Sequence, residues 1–295
     1  MTASARVVAQ AKVNLVLRVL AREAAGYHSI ETVFLRVDLG DDVEVRITPS
    51  GRSVDCTGSA MPEPGLGPVE KNLAYRAAVL YQEATGWPAG FEIGIGKRIP
   101  VGAGLGGGSA DAGAVLRCLD ALSPRPLGRQ LVEIAGPLGA DVPFMTLDSP
   151  MALAWSRGER LHPVRRLEPR PVVVLKPRFS IATADAYEWL SADRGAYAPI
   201  GAVIEPDDLA TWEAVRTIAT NDFHAVVGNR HPEILEIADD LASRGAFLSM
   251  VSGSGSAVFG VFSEPPDAAA IARDNDCGIL MTRSADRVVQ VETAE

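Results

Sequence analysis

The chain has few cysteines, and their spacing excludes two classes of protein. Its 295 residues include three cysteines, Cys56, Cys118 and Cys277, which lie far apart. An odd and widely spaced set fits neither a disulfide framework nor a cysteine-rich metal site. We therefore expect the protein to work in a reducing compartment, the cytoplasm.

Positive charge and long apolar runs are also scarce. The chain has 28 lysines and arginines against 37 acidic residues, a net charge of −9, and its basic residues form no run. A protein that binds a nucleic-acid backbone needs a basic surface, so we expect no nucleic-acid partner. No stretch of about 18 consecutive apolar residues is present, and residues 1–11 are too short and polar for a signal peptide. We expect no membrane partner either.

Glycine, by contrast, is concentrated in one stretch of the chain. Five of the seven residues from Gly102 to Gly108 are glycine, between a predicted strand over residues 91–95 and a predicted helix that starts at Ser109. Glycine adopts positive φ angles without steric cost, so such a run can point several backbone N–H groups at one anion. The helix adds its N-terminal amides to this concavity. The stretch therefore predicts a site for a polyphosphate.

Three other interpretations of this stretch are weaker. The Walker phosphate loop needs a lysine before its final serine or threonine, and this chain has a glycine there. The dinucleotide pattern G-x-G-x-x-G is matched literally from Gly102 to Gly107, but the nearby acidic residue, Asp120, falls inside the predicted helix and not after a second strand. A flexible linker would be polar and unstructured, whereas a strand and an amphipathic helix flank this run.

Two polar residues share one face of the first predicted strand. Over residues 12–20 apolar and other positions alternate, so Lys12 and Asn14 project from the same face. The alternation alone favours a solvated sheet surface over the floor of a cleft. Taken singly, His28 is most simply an ordinary loop residue, and Asp141 a helix cap.

The remaining pattern predicts a protein of mixed helices and strands. Strands are expected over residues 32–39, 43–47, 171–175, 247–251 and 257–262, with a hairpin turn at Gly40–Asp42 and a small-residue turn over 252–256. Helices are expected over residues 72–84, 109–122, 127–138, 183–190, 207–218 and 232–243. Residues 49–70 are rich in glycine, proline and serine, which indicates turns.

Taken in order, several short motifs make the chain resemble the GHMP family of small-molecule kinases, which bind ATP with a glycine-rich loop outside the Walker class. The motifs are Ala11–Leu15, Gly26–His28, Glu31–Phe34, Pro100–Ala112, Gly139–Phe144, Arg157–Glu159, Lys176–Pro177, Asn221–Phe223 and Ser252–Phe259. An ordered set that spans almost the whole chain is more specific than any one motif. Within the family the resemblance is to the branch that phosphorylates a cytidine diphosphate-linked methylerythritol.

The resemblance implies transfer of a phosphoryl group from ATP, with Mg²⁺, to the 2-hydroxyl of this small-molecule substrate, in non-mevalonate isoprenoid synthesis. It assigns catalysis to Lys12 and Asp141, with Asp141 accepting the hydroxyl proton and Lys12 stabilising the transferring charge. It places the nucleotide on Pro100, Gly102, Gly104, Leu105, Gly106, Gly107, Gly108, Ser109 and Ala110, with Ser109 as the candidate Mg²⁺ ligand. It places the acceptor on Asn14, Tyr27, His28, Phe34 and Tyr187, with the two tyrosines stacking on the cytosine.

The implied fold is α+β, with two domains that face each other across a cleft, in a monomer or a homodimer. We expect an N-terminal domain similar to domain 2 of ribosomal protein S5 over residues 1–155, and a ferredoxin-like C-terminal domain over residues 156–295. One departure from the family lies between Met145 and Trp155, where the glycines common in the family are missing and the loop geometry is open. Two alternatives remain: another GHMP kinase, and a non-catalytic nucleotide-binding module on the same fold.

Overall fold

The computed structural model describes residues 3–22, 28–194 and 203–294. The strands in this part of the chain are β1 (Ser4–Arg22), β2 (His28–Thr48), β3 (Arg52–Thr57), β4 (Gly90–Gly96), β5 (Met151–Ser156), β6 (Arg160–Pro163), β7 (Pro171–Lys176), β8 (Thr220–Asn221), β9 (Ala246–Val251), β10 (Val258–Phe262), β11 (Gly278–Arg283) and β12 (Glu292–Ala294). The α-helices are α1 (Leu73–Thr85), α2 (Gly107–Leu122), α3 (Gln130–Ala135), α4 (Val142–Thr146), α5 (Thr183–Arg194), α6 (Trp212–Ile218), α7 (Asp222–Gly228), α8 (Pro232–Ser243) and α9 (Ala268–Asp274). None of these helices is long and apolar enough to cross a membrane.

The first sheet is built around the long antiparallel pair of β1 and β2. Its main path runs β12-β1-β2-β4-β3, β5 joins β2 to β6, and β8 lies parallel to β1. Val13, Leu15 and Val33 are fully buried in this pair, as the alternation of apolar residues predicts. Helix α2 packs against β1 and β2, and α1, α3 and α4 pack around α2. The glycine-rich stretch before α2 is thereby held over the sheet.

The second sheet has the ferredoxin-like order. Its strands lie in the sequence β11-β7-β10-β9, and each neighbouring pair is antiparallel. Counted along the chain this order is 4-1-3-2, with α8 packed on β9 and β10. The predicted α+β fold is thus confirmed. Strands β6, β8 and β12 all belong to the first sheet, and a domain boundary at residue 155 stays a prediction.

The predicted hairpin at Gly40–Asp42 is wrong, because β2 runs straight through it from His28 to Thr48. Asp41, in the predicted turn, is buried. Its carboxylate accepts hydrogen bonds from the amides of Arg98 and Ile99 at 2.5 and 2.8 Å. The glycine serves close packing, since a Cβ at Gly40 would lie 2.5 Å from a methyl group of Val8 on β1. A glycine followed by aspartates is typical of a turn, but here the glycine allows close packing and the buried aspartate binds backbone amides.

Smaller differences between the predicted and the observed elements lie in segments where the spacing of apolar residues is irregular. The turn-rich residues 49–70 contain β3, the helix predicted over 127–138 is α3 followed by a 3-10 turn over Gly136–Leu138, and the helix predicted over 207–218 is a 3-10 turn at Pro206–Leu209 followed by α6. The segment from Met145 to Trp155, whose geometry the sequence left undetermined, contains the last residues of α4 and most of β5. Strand β5 pairs with β2. Pairing with a long neighbouring strand fixes this segment without glycines.

Candidate active site

A cleft of about 1130 Å³ lies where the glycine-rich stretch, the first sheet and α5 meet. The predicted site residues that line it are Lys12, Asn14, His28, Phe34, Pro100, Gly102, Gly104, Leu105, Gly106, Gly107, Gly108, Ser109, Asp141 and Tyr187. Ala110 is buried inside the first turn of α2, where its amide donates to the carbonyl of Gly106 at 2.8 Å, and it does not line the cleft. Tyr27 lies outside the described residues.

The glycine-rich stretch Gly102–Gly108, called the glycine loop below, changes direction at several residues with left-handed backbone conformations. Gly102, Gly104 and Gly106 have φ angles of 68°, 78° and 71°, which other residues rarely adopt. Gly106 is the N-cap of α2, and no side chain caps the helix there, so the first amides of the helix can donate to a ligand. The 16-residue helix begins at the cleft, and a helix N-terminus favours an anion.

The second small-residue turn, over 252–256, supports the glycine loop. A Cβ on Gly104 would lie 2.0 Å from the carbonyl oxygen of Ser252, so the two backbones touch. The hydroxyl of Ser252 donates to the carbonyl of Gly104 at 2.9 Å, and the amide of Ala257 donates to the carbonyl of Ala103 at 3.1 Å. The predicted small-residue turn is thus in direct backbone contact with the glycine loop.

Lys12 lies at the centre of the cleft floor. Its ammonium donates to Asn14 Oδ1 at 2.8 Å and to the carbonyl of Gly104 at 3.0 Å, and lies 3.4 Å from Asp141 Oδ2. Lys12 is 3% exposed, so the solvated surface that the alternation favoured is wrong for this part of β1. The register between β1 and β2 shifts on both sides of Lys12 and Asn14, as at a β-bulge. Such irregularities commonly redirect strand side chains next to active sites.

Asp141 precedes α4 without capping it. It occupies the N-cap position, yet its side chain accepts no hydrogen bond from the helix, and the simple interpretation as a cap is therefore wrong. The carboxylate faces Lys12 and remains 26% exposed to the cleft. A partly exposed carboxylate beside a buried ammonium can bind an incoming hydroxyl group while its charge is balanced.

Asn14 connects the two halves of the protein below Lys12. Its amide nitrogen donates to Thr32 Oγ1 at 2.8 Å, and its oxygen accepts from the amide of Gly253 at 3.1 Å. Asn221 then donates to the carbonyls of Val251 and Gly253, both at 2.8 Å. Sequence reasoning did not single out Thr32 or Gly253 as site residues, and gave Asn221 no role beyond its motif. Only their place in the fold brings these residues together.

Aromatic rings form the end of the cleft that was predicted to hold the cytosine. The His28 and Tyr187 rings stack, with centroids 4.6 Å apart and planes 21° apart, and Ser191 lies 3.5 Å from His28 Nε2. Burial, and secondarily the charge of Asp141, raises the pKa of Tyr187 to about 12, so its phenol is neutral at physiological pH. A neutral aromatic ring stacked on an imidazole provides flat surface of the kind that suits a nucleobase.

A buried ion cluster that sequence reasoning missed lies beside the glycine loop. Lys97 Nζ bonds Asp111 Oδ2 at 2.7 Å and also contacts Asp41. Burial raises the pKa of the Asp111 carboxyl to about 7, with Lys97 opposing that shift. Burial alone would lower the pKa of Lys97, but the two carboxylates outweigh it and raise it. The cluster joins α2, through Asp111, to β2 and to the segment after β4.

The turn after β5 approaches the cleft next to Asp141. Ser156 takes a φ of 65°, in the left-handed region, and Arg157 lines the cleft. A Cβ on Gly158 would lie 2.8 Å from the carbonyl of Ala140, so this glycine allows the turn to pack directly beside Asp141. The left-handed conformation of a serine at this turn costs about 1 kcal/mol or more.

A resident metal site has little support in the described residues. No group of three or more histidine, cysteine, aspartate or glutamate side chains there could hold a metal ion. The hydroxyl of Ser109 lies at the start of α2 and lines the cleft, and Asp141 is a carboxylate in the same cleft. This donor set suits a cation that arrives with phosphate oxygens as its main ligands.

Comparison with family models and sequences agrees with this geometry. The chain matches the GHMP kinases N terminal domain over residues 72–149 and the GHMP kinases C terminal region over residues 207–277. A 4-diphosphocytidyl-2-C-methyl-D-erythritol kinase from Desulfotalea psychrophila is 37% identical over 292 residues, which cover 96% of this chain and 93% of that protein. One from Anaeromyxobacter dehalogenans is 42% identical over 262 residues, covering 86% of this chain and 79% of that protein.

Solved structures give the same result. A crystal structure of 4-(cytidine 5'-diphospho)-2C-methyl-D-erythritol kinase has 35% identity and a TM-score of 0.76, and the match covers 95% of this chain and 99% of that one. Homoserine kinase from Cytophaga hutchinsonii, at 15% identity with a TM-score of 0.69 over 99% of this chain and 97% of its own, shares the fold alone. The chain therefore belongs to the GHMP kinases, in the family of the 4-diphosphocytidyl-2-C-methyl-D-erythritol kinases.

Proposed function

We propose that the protein transfers the γ-phosphoryl group of ATP to the 2-hydroxyl of 4-diphosphocytidyl-2-C-methyl-D-erythritol, a step of non-mevalonate isoprenoid synthesis. The observation that carries the proposal is the Lys12 ammonium, which lies 3.4 Å from Asp141 and 3.0 Å from the glycine-loop carbonyl of Gly104. A proton acceptor and a cation thus stand where phosphate and alcohol would meet. The relatives named above act on this substrate according to their names, and a cytoplasmic location stays a prediction.

The proposed mechanism follows from what the transfer needs. The amides at the start of α2 and the glycine loop hold the phosphates of ATP, and Asp141 orients the attacking hydroxyl and takes its proton. Lys12 stabilises negative charge on the transferring group, and its fixed contacts spare it reorganisation during the reaction. Asn14 holds Lys12 in place at 2.8 Å.

Mg²⁺ enters this scheme with ATP as part of the substrate. We assign Ser109 as the protein ligand, because its hydroxyl lies in the first turn of α2 at the cleft. Phosphate oxygens and water would supply the remaining ligands, since hard cations prefer oxygen and the described residues offer no acidic cluster.

For the acceptor, we assign the cytosine to the aromatic end of the cleft and the methylerythritol to the end at Lys12, Asn14 and Asp141. The support is the stack of His28 on Tyr187 and the burial of Phe34 under the cleft floor. Tyr27 keeps its predicted role as the second stacking residue.

The test is an ADP-release assay with three acceptors: the cytidylyl compound, mevalonate and homoserine. We expect turnover with the cytidylyl compound alone, and loss of that turnover in Asp141→Asn. Turnover with mevalonate or homoserine only would assign the protein to another GHMP activity. ATP binding by a folded protein that turns over none of the three would favour a non-catalytic nucleotide-binding module.

A further inference from the structure

Arg36 on β2 is a buried charge whose partners are almost all backbone carbonyls. It is 2% exposed, and no carboxylate of the described residues lies within ion-pair distance of it. Burial, with Arg117 adding to the effect, lowers the pKa of Arg36 to about 9, so the guanidinium is still charged at neutral pH. An apolar side chain of similar volume would avoid the cost of burying this charge. The hydrogen bonds that Arg36 makes are therefore the reason to expect a role for its charge.

These contacts all lie on α4 and the residues just after it. The guanidinium donates to the carbonyls of Phe144, Leu147 and Ser149 at 2.9, 3.2 and 3.3 Å. Another of its N–H groups points to Met145 Sδ at 3.7 Å. The carbonyl of Phe144 also accepts from the amide of Leu147 at 3.1 Å, whereas the carbonyls of Leu147 and Ser149 lie just beyond the helix. Arg36 therefore supplies donors to carbonyls at and after the end of α4, where the helix itself supplies few.

Helix α4 has five residues and begins directly after Asp141. A helix this short is not stable by itself, so its position is set by what holds its two ends. The amide of Met145 donates to the carbonyl of Asp141 at 3.2 Å, which joins Asp141 to the helix backbone. A shift of the end that Arg36 holds would consequently move Asp141.

The two ends of α4 contact two neighbouring residues of the first sheet. Lys12 on β1 and Arg36 on β2 are direct cross-strand partners. Lys12 faces Asp141 before the helix, at 3.4 Å, while Arg36 binds the carbonyls at the other end. Lys12 and Arg36 thus hold α4 between them.

Two stacked rings fill the space between these cations. The rings of Phe34 and Phe144 lie 4.9 Å apart at 18°. The Lys12 ammonium is 5.7 Å from the Phe34 centroid, and the Arg36 guanidinium carbon is 4.9 Å from the Phe144 centroid. Cation–π contacts of this kind add to the carbonyl bonds and fix the ring of Phe144 on α4.

We propose that Arg36 is a positioning residue, which sets the distance between the Asp141 carboxylate and Lys12 by holding the far end of α4. This inference rests on the proposed role of Asp141. Arg36 touches no reacting atom, and its effect on the reaction passes through the backbone of α4. Reaction rates are sensitive to such placement, since a displacement of about 1 Å can lower a rate by about 100-fold.

The experiment compares Arg36→Met and Arg36→Lys with a matched control, Arg117→Met. Arg117 on α2 is also a largely buried arginine, and its charge acts on Arg36, but it donates to the carbonyl of Val289 at 2.5 Å and not to α4. Arg117→Met therefore removes a neighbouring buried charge and leaves the hydrogen bonds to α4 in place. We expect Arg36→Met to lower kcat by about 10- to 100-fold, with the KM values for ATP and the acceptor within about threefold of wild type. Arg36→Lys should recover part of kcat, and Arg117→Met should keep it. Equal kcat in Arg36→Met and wild type would overturn the inference.

A double-mutant cycle with Asp141→Asn separates positioning from general loss of structure. If Arg36 acts through Asp141, adding Arg36→Met to Asp141→Asn changes kcat by less than about twofold, because the group being positioned is already gone. If the fold decreases in kcat of the two single variants multiply in the double variant, the proposal is contradicted. Should Arg36→Met fail to fold, the cycle with Arg36→Lys decides in the same way.

The cycle also distinguishes the two proposals. If Asp141→Asn alone keeps near-normal turnover, the proposed function of Asp141 fails whatever Arg36 does. If Asp141→Asn is inactive while the Arg36 variants are normal, only the positioning role fails. Hydrogen exchange of the amides of Val142 and of residues 144–147 gives an independent readout, with faster exchange expected in Arg36→Met than in Arg117→Met.

Discussion

Lys12 shows how much of this site depends on a single side chain. Its ammonium is bound by Asn14 and Gly104 and faces Asp141, and the side chain is 3% exposed. A charge fixed in this way by oxygens needs no rearrangement when negative charge develops on the transferring phosphate. The sequence placed Lys12 and Asn14 on one face of β1, but its alternation could not tell a solvated face from a covered one.

We predict that Lys12→Met lowers kcat by about 100- to 1000-fold, because a preorganised cation is lost where the charge develops. The KM for ATP should change much less, since the backbone amides of the glycine loop and α2 remain. Steady-state kinetics with ADP release measure both quantities. Lys71→Met, which removes an exposed lysine, is the control, and a large rise in KM at unchanged kcat would show that Lys12 only binds substrate.

Asp111 allows a prediction about stability and pH. Its folded pKa is raised from 3.8 to about 7, so the folded state binds a proton more tightly than the unfolded chain. The contribution of Asp111 to stability is therefore complete below about pH 4 and is lost as the pH rises to about 7. Asp111→Asn removes this dependence, so it should cost more stability at pH 5 than at pH 8.

Urea unfolding of wild type and Asp111→Asn at pH 5 and pH 8 measures the difference. Asp185→Asn, which removes an exposed carboxylate on α5, is the matched control. A free-energy difference between wild type and Asp111→Asn that is the same at both pH values would show that Asp111 is ionised in the folded protein throughout this range.

At the scale of elements, the glycine loop depends on a contact with a turn about 150 residues away. The loop and the helix after it could be predicted, because glycine spacing and helical periodicity are local properties. The contact with the turn over 252–256 could not, since nothing local indicates that Ser252 approaches Gly104. The hairpin predicted within β2 failed for the related reason that a buried aspartate can imitate a turn.

We predict that Gly104→Ala weakens both stability and ATP binding. A Cβ there would lie 2.0 Å from the carbonyl of Ser252 on a residue whose φ is +78°. Overpacking and left-handed strain together cost about 2 to 4 kcal/mol. Gly86→Ala is the control, because Gly86 has a φ of +71° and nothing within 4 Å of an added Cβ.

Gly86→Ala should cost about 1 to 2 kcal/mol from strain alone and leave the KM for ATP unchanged. Thermal unfolding and ATP titration of both variants give the comparison. Equal losses in the two variants would mean that the contact between loop and turn contributes nothing beyond backbone strain.

At the scale of the whole molecule, the cleft exists because the two sheets are joined at several points. Strand β8 from the second half pairs with β1, and Asn221 at its end donates to the carbonyls of Val251 and Gly253. Residues that meet in the cleft lie far apart in the chain; Asn14 and Gly253, for example, are separated by 239 positions. The order of the motifs along the chain could therefore indicate the family and its fold, while the contacts themselves required the folded structure.

We predict that Asn221→Ala loosens this junction. Two buried carbonyls lose their donor, which costs at least about 2 kcal/mol, and the KM for ATP should rise because Gly253 no longer supports Asn14. The Asn221 side chain also accepts from the amide of Phe223 at 2.9 Å, so the variant loses three hydrogen bonds in all. Asn275→Ala, which removes two hydrogen bonds at a residue that does not line the cleft, is the control. If Asn221→Ala is destabilised without any change in kinetics, the junction supports the fold and not the site.

In the proposed mechanism, the carboxylate of Asp141, held beside Lys12, accepts the proton of the attacking hydroxyl of the cytidylyl substrate. Measuring kcat of Asp141→Asn with this substrate, alongside the Kd for ATP by titration, tests that role. We predict that kcat falls by at least about 100-fold while the Kd for ATP stays within about threefold, because the variant keeps the shape of the site and loses the proton acceptor. A variant that turns over at close to the wild-type rate would contradict the account.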